Sequence, residues 1–138
     1  MESKKLTGVD TNVLVRLIMR DDEAQHLLAY NFFTEIELNK SKVTINSVVL
    51  TELSFLLLRT YKLPKNTFID ILFSLCQKSF IVIDNEIAVL KTLEAYKTLN
   101  VDFHDLLISN INSAKGVNFT ISFDKKASSR ITDFKLLK

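Results

Sequence analysis

Short apolar strands alternate with helix-period segments along this chain, and that alternation leaves few folds open. KVTI (42–45), FIVID (80–84) and NFTIS (118–122) are compact runs of strand formers. Residues 5–10 read as a first strand ending at Asp10, and 133–136 as a last one. Helices are predicted over 11–19, from Asp21–Glu23 to about Asn39, from Asn46 to about Tyr61, and over 65–78, 85–99 and 102–116, with a short one from about Asp124. Apolar positions at three- and four-residue spacing support them, for example Val13, Leu14, Leu17 and Ile18 in the first. In the second the stripe reads Leu27, Leu28, Phe32 and Ile36, with Phe33 as a further candidate, and in the 85–99 helix it reads Ile87, Leu90, Leu93, Ala95 and Tyr96. Strands separated by helices pair through crossovers, so the prediction is an α/β fold with a mainly parallel sheet of about five strands, covered on both faces.

Composition agrees. With 138 residues the expectation is a single domain, and 47% hydrophobic residues allow a sizeable core. Two glycines and one proline argue against a turn-rich all-β chain. The uncharged apolar runs Val48–Leu50 and Phe55–Leu58 are far too short to span a bilayer. Met1, Glu2, Lys4 and Lys5 are followed by no apolar signal segment, so a cytoplasmic location is expected. Cys76 is alone, which excludes a disulfide framework, and its neighbours read as core.

In a parallel sheet, ligands bind outside the carboxyl ends of the strands. Asp10 closes the first strand and Asp124 lies just past NFTIS. Asp105 lies in the first turn of the helix that feeds that strand, and Glu52 in the second turn of the helix after KVTI. Four acids from four segments are thereby expected at one edge. Glu52 stands in VVLTELSFLLLR, where a carboxylate is out of place without a partner. Close carboxylates repel unless a cation joins them, and an all-oxygen set suits Mg²⁺ or Mn²⁺ better than Zn²⁺. Each acid also has a local role open to it. Asp10 can cap the following helix, Asp124 the last one, and Asp84 the helix after FIVID; Asp102 and Asp105 form a D-x-x-D pair like a capping box, and Glu52 can pair with Arg59 or Lys62.

Four stretches carry a family resemblance. DTNVLVR (10–16), TELSFLL (51–57), DFHDLLIS (102–109) and TISFDKKA (120–127) resemble, in order, the four motifs of PIN-domain ribonucleases, most closely the stand-alone VapC-type toxins of toxin–antitoxin pairs. The resemblance implies a three-layer α/β/α fold and an acidic magnesium site at Asp10, Glu52, Asp105 and Asp124. It also implies supporting roles for Asn12 and Ser122, with Asp102 either a supporting residue or a helix cap. The third motif departs from the family in continuing as LLISNIN rather than in small residues, which leaves Asn112 as either a groove residue or a solvated one.

The implied chemistry is Mg²⁺-dependent hydrolysis of an RNA phosphodiester, with Asp105 or Asp124 accepting the proton of the attacking water. His104 is placed on the far side of its helix from Asp105, as packing or surface, and His26 reads as a solvated helix residue. Assigning four of the 16 acidic residues to the site leaves 12 against 18 basic ones. Arg16, Arg20, Lys125, Lys126 and Arg130 flank the motifs as candidates for phosphate contacts. By resemblance the partners are RNA, a cognate antitoxin and a second copy in a homodimer, with no membrane. Large side chains on the helices around 22–39 and 48–76, among them Phe32, Phe55 and Phe73, are offered to core or interface. Three rivals stand beside this reading. A haloacid-dehalogenase-like phosphatase would want Asp rather than Asn at position 12, a receiver domain an acidic pair at the first strand, and a catalytically inactive PIN-like module would bind RNA or protein without cutting.

Overall fold

The computed structural model describes residues 5–138; Met1, Glu2 and Lys4, cited above for the missing signal segment, lie outside the described residues. The fold is α/β with parallel strands, as the alternation predicts. Contacts group the chain into two compact units, Met1–Asp84 and Asn85–Lys138. Among the described residues, five strands pair as a three-stranded and a two-stranded sheet.

The first unit runs β1 (Leu6–Gly8), α1 (Thr11–Met19), α2 (Glu23–Leu38), β2 (Lys42–Ile45), α3 (Ser47–Phe55), a π-helical turn (Leu56–Thr60), α4 (Lys65–Gln77) and β3 (Ile81–Ile83). β2 is central and parallel to both neighbours, with Gly8 opposite Thr44 and Thr44 opposite Val82. Val43 and Ile45 on this central strand are fully buried, and Ile81 and Ile83 are buried beside them. Leu14, Leu50, Leu53, Leu57, Phe68 and Leu72 pack the core against that face at helical spacing.

The second helix buries part of the predicted stripe, Ile36 with Phe33, and exposes the rest. Ala29, Phe33 and Ile36 are buried with His26, whereas Leu27 and Leu28 are 57% and 70% exposed. The shift is set by His26. Its Nδ1 lies 3.0 Å from the Arg16 carbonyl, which can only accept, so Nδ1 carries the proton and pins α2 to α1. A stripe of large residues gave no sign of this, because the buried face uses Ala29 and a histidine. The helix after KVTI also departs from expectation, since it ends at Phe55 and continues as the π-helical turn. Cys76 is buried, as expected.

The second unit comprises α5 (Glu86–Tyr96), α6 (Phe103–Ala114), β4 (Thr120–Ser122), α7 (Lys125–Arg130) and β5 (Phe134–Leu136). The cap position of α5 falls on Asn85, in a left-handed conformation, and not on Asp84; the Asp84 amide instead donates to the Ile45 carbonyl of the first unit's sheet. α5 buries Ala88, Val89, Thr92, Leu93 and Tyr96, while Ile87 is exposed, so its buried face is rotated from the predicted stripe. Tyr96 meets Phe103 edge to face at 5.4 Å. Gly116 takes φ 83 just beyond α6, a conformation that suits glycine at a helix end. β4 and β5 pair in parallel, with Ser122 opposite Leu136. Asn112 donates to the Thr120 hydroxyl at 2.9 Å, which fixes its role as a clamp between α6 and β4. Among the described residues, no helix is long and apolar enough to cross a membrane.

Thr92 is fully buried; its hydroxyl donates to the Ala88 carbonyl at 2.7 Å and accepts from the Asn110 amide at 2.9 Å. Thr92→Val keeps the shape and strands that amide, so we expect a loss of about 1–3 kcal/mol in chemical denaturation. Thr92→Val combined with Asn110→Leu should recover part of the loss.

Candidate metal centre

Asp10 follows β1 and occupies the N-cap position of α1 in extended backbone. Its carboxylate makes no capping bond. The contrast with other caps is informative: Asp22 accepts from the Gln25 amide, Asn46 from Val49 and Asp124 from Ala127, each at 2.9–3.0 Å. The Asp10 carboxylate is exposed instead, at a pocket of about 440 Å³ that Asn12 and Arg16 also line. Thr11, next in the chain, is 2% exposed, and its hydroxyl has no hydrogen-bond partner among the described residues.

Glu52 is exposed on α3, because Leu50, Leu53 and Leu57 occupy the buried side of that segment. The apolar flanks that made it look enclosed belong to the opposite face. It lines a hollow with Ser47, Val48, Thr51 and Phe55.

Arg16 is held rather than free. Its Nε donates to Gln25 at 2.7 Å and one terminal nitrogen to Asp21 at 3.0 Å. Tyr61, just past the π-helical turn, donates to the other oxygen of Asp21 at 2.6 Å. That hydrogen bond and the Arg16 charge hold the Asp21 carboxyl below the ordinary aspartate range, and the same bond pushes the Tyr61 phenol up. Arg20 is exposed in a left-handed conformation at the end of α1.

In the second unit, Asp102 stands at the N-cap position of α6 without a side-chain capping bond, and Asp105 lies in the first turn. His104 is not remote from Asp105: its Nε2 lies 3.3 Å from Asp105 Oδ1. Successive helical residues differ by only about 100°, and the long imidazole turns back across that angle. One donor atom from each of Asp102, His104 and Asp105 falls within 4.8 Å of the others, a spacing at which one cation can be shared. Sequence reasoning missed His104 in this set, although its place between two acids was a visible signal.

Asp124 caps α7 through Oδ1, while Ser122 Oγ accepts from the Asp124 amide at 2.9 Å. Ser122 thus orients the backbone of Asp124. Lys125 and Lys126 are exposed, and Arg130 donates to the Asn100 carbonyl at 2.6 Å.

Residues 9–131 match the PIN domain family. This chain belongs to that family. No curated protein and no solved structure matches it. PIN domains are in general metal-dependent nucleases acting with a divalent cation, and the donor set at Asp102, His104 and Asp105 fits such an ion in this PIN domain. The family match also sets aside the phosphatase and receiver layouts.

Asp21 has a lowered folded pKa, so its contribution to stability is present above the ordinary aspartate value of 3.8 and is lost as pH falls through the folded value. Tyr61 has a raised one, so its contribution is present below 10.0 and is lost as pH rises through the folded value. Asp21→Asn should therefore lower the denaturation midpoint at neutral pH and converge on the parent in acid. A gap of constant size from acid to neutral pH would contradict the ion-pair assignment.

Proposed function

We propose that this PIN domain, read as one nuclease domain over residues 1–138, is an Mg²⁺-dependent endoribonuclease and the toxin of a type II toxin–antitoxin pair. The observation that carries the nuclease reading is the Asp10 carboxylate, left out of the capping role that Asp22 and Asp124 perform and facing a pocket with Asn12. The order of the four acidic motifs within the matched family segment supports Asp10, Glu52, Asp105 and Asp124 as the residues that would hold the ion. Their oxygens favour Mg²⁺, and His104 beside Asp105 makes Mn²⁺ acceptable as well. A divalent cation held there supplies Lewis acidity toward a phosphate oxygen and lowers the pKa of water.

The chain's own groups supply the rest. Water attacks phosphorus as the bond from phosphorus to one sugar oxygen breaks; the water proton passes to Asp105 or Asp124, and the leaving oxygen takes a proton from solvent to depart as a hydroxyl. Asn12 orients Asp10 through its amide, and Ser122 orients Asp124 through the backbone bond already described. Asp102 adds a third donor beside Asp105 or serves only at the start of α6. Exposed Arg20, Lys125 and Lys126 meet phosphates, and Arg16 and Arg130 offer the donors left over from their internal bonds. The toxin assignment, a cognate antitoxin, a homodimer and the cytoplasm as the compartment of the RNA follow from the motif resemblance. Exposed Leu27 and Leu38 on α2 and Phe73 on α4 give those protein partners apolar surface.

Purified protein should cut single-stranded RNA with Mg²⁺ and stop when the ion is chelated. Asp10→Asn and Asp105→Asn should abolish cutting. Asp124→Asn keeps a capping side chain while removing the charge, so it should lose activity with its thermal midpoint nearly unchanged. Equal cleavage and equal growth arrest by parent and Asp10→Asn would sink the nuclease reading and leave a binding module. Each phosphate contact removed, as in Lys126→Ala, should cut the logarithmic salt slope of RNA binding by about 0.7.

A further inference from the structure

The pocket beside Asp10 has more to it than the acid. Asp10 and Asn12 stand on its lining with Arg16; Thr7 and Gly8 of β1 and Val9 just past it line it too, and Val13, Leu28 and Phe32 are the large apolar side chains that α1 and α2 add. Its volume of about 440 Å³ and its mostly apolar wall with a few polar groups are the usual features of a small-ligand site. All of these residues belong to the first unit. Phe32 is half-buried, and its ring meets buried Phe33 edge to face at 5.2 Å, so the wall is braced from behind. Arg16 is braced as well, by Asp21, Gln25 and the Tyr61 phenol, and further N–H donors of its guanidinium remain outside those contacts.

We infer that this pocket is a nucleotide subsite that takes one unpaired base of single-stranded RNA, next to the phosphate that is cut. The inference rests on the nuclease reading for the identity of that phosphate. A planar base covers the Val13, Leu28 and Phe32 wall with an aromatic face. Its phosphate meets the spare donors of Arg16, which a flat carboxylate-lined groove would lack. Asn12 provides an amide that can donate to and accept from a base edge. A purely apolar segment of another protein would fill the wall but meet neither the remaining Arg16 donors nor the Asn12 amide, whereas a nucleotide satisfies both halves. Asp21 and Tyr61 then act as positioning residues, because they fix the direction of the Arg16 guanidinium from outside the pocket.

The test has two arms. In the first, an RNA that the parent cuts is resynthesised with an abasic residue at each position flanking the cut. We expect one flanking position to raise KM about ten- to a hundredfold, the size of one lost stacking contact. Leu28→Trp fills the pocket from an exposed position, so it should fold, and it should raise KM to a similar extent on intact RNA while adding nothing on the abasic substrate. Tyr61→Phe should raise KM more than it lowers kcat. Parent-like KM for Leu28→Trp, or indifference to every abasic position, overturns the subsite while leaving the nuclease reading intact. In the second arm, a short single-stranded oligonucleotide is titrated in the presence of a chelator and the Val13 and Leu28 methyl resonances are followed. Their movement supports the subsite without any appeal to catalysis. Methyl shifts with an amphipathic peptide and none with the oligonucleotide would overturn it in favour of a protein-docking groove. Failure of the parent to cut any RNA would count against the nuclease reading, and the second arm would still decide whether the pocket takes a base.

Discussion

Parallel pairing on β2 is the constraint from which the rest of the first unit follows. The strands are only three or four residues long, so their few hydrogen bonds hold only because Val43 and Ile45 are fully buried on the central one. Parallel pairing then forces Gly8, Thr44 and Val82 into one row. The chain leaves all three strands at the same edge, which is where Asp10, Asn46 and Asp84 stand. A slip of one residue would turn Val43 and Ile45 out of the core, so burial of these two side chains also fixes where Asp10 emerges. Asp10 is positioned by hydrophobic packing several residues away from it.

The carboxylates that emerge at helix starts divide into two kinds. Asp22 and Asp124 satisfy backbone amides of the helices they begin. Asp10 and Asp102 occupy the same kind of position and make no such bond. A helix N-terminus attracts negative charge whether or not the side chain caps it, so an acid is accommodated there without a capping bond. Asp124 caps through one of its two carboxylate oxygens, Oδ1. His104 sharpens the second-unit cluster, because its imidazole beside Asp105 Oδ1 introduces nitrogen into a set that otherwise offers only oxygen.

Much of this was legible in the sequence. The five strands, the helices between them and the caps at Asn46 and Asp124 are local features, set by apolar runs and short polar side chains. What escaped was non-local. Leu28 looked like core and is exposed, because His26 takes a buried place through one bond to a carbonyl in α1. Glu52 looked enclosed and is exposed, because a helix puts its apolar neighbours on the other side. His104 looked remote from Asp105 because spacing along a helix describes where side chains start and not how far they reach. Asn112 stayed undecided until β4 supplied Thr120 as its partner.

The π-helical turn joins these observations. Its bonds run from the Tyr61 amide to the Leu56 carbonyl, one residue longer than the α pattern. One added residue rotates everything after it by about 100° relative to a continuing α-helix. Tyr61 would then begin from a different azimuth in a regular helix, and its 2.6 Å bond to Asp21, 40 residues away, depends on that rotation. The turn is less favourable locally than α-helix, and two features offset the cost: the full burial of Leu57 inside the turn and the Tyr61–Asp21–Arg16 chain beyond it. The turn lies between the segment that carries Glu52 and the network that holds Arg16. Through Tyr61 and Asp21 it connects to the Arg16 guanidinium, which Gln25 of α2 also holds at the pocket of Asp10.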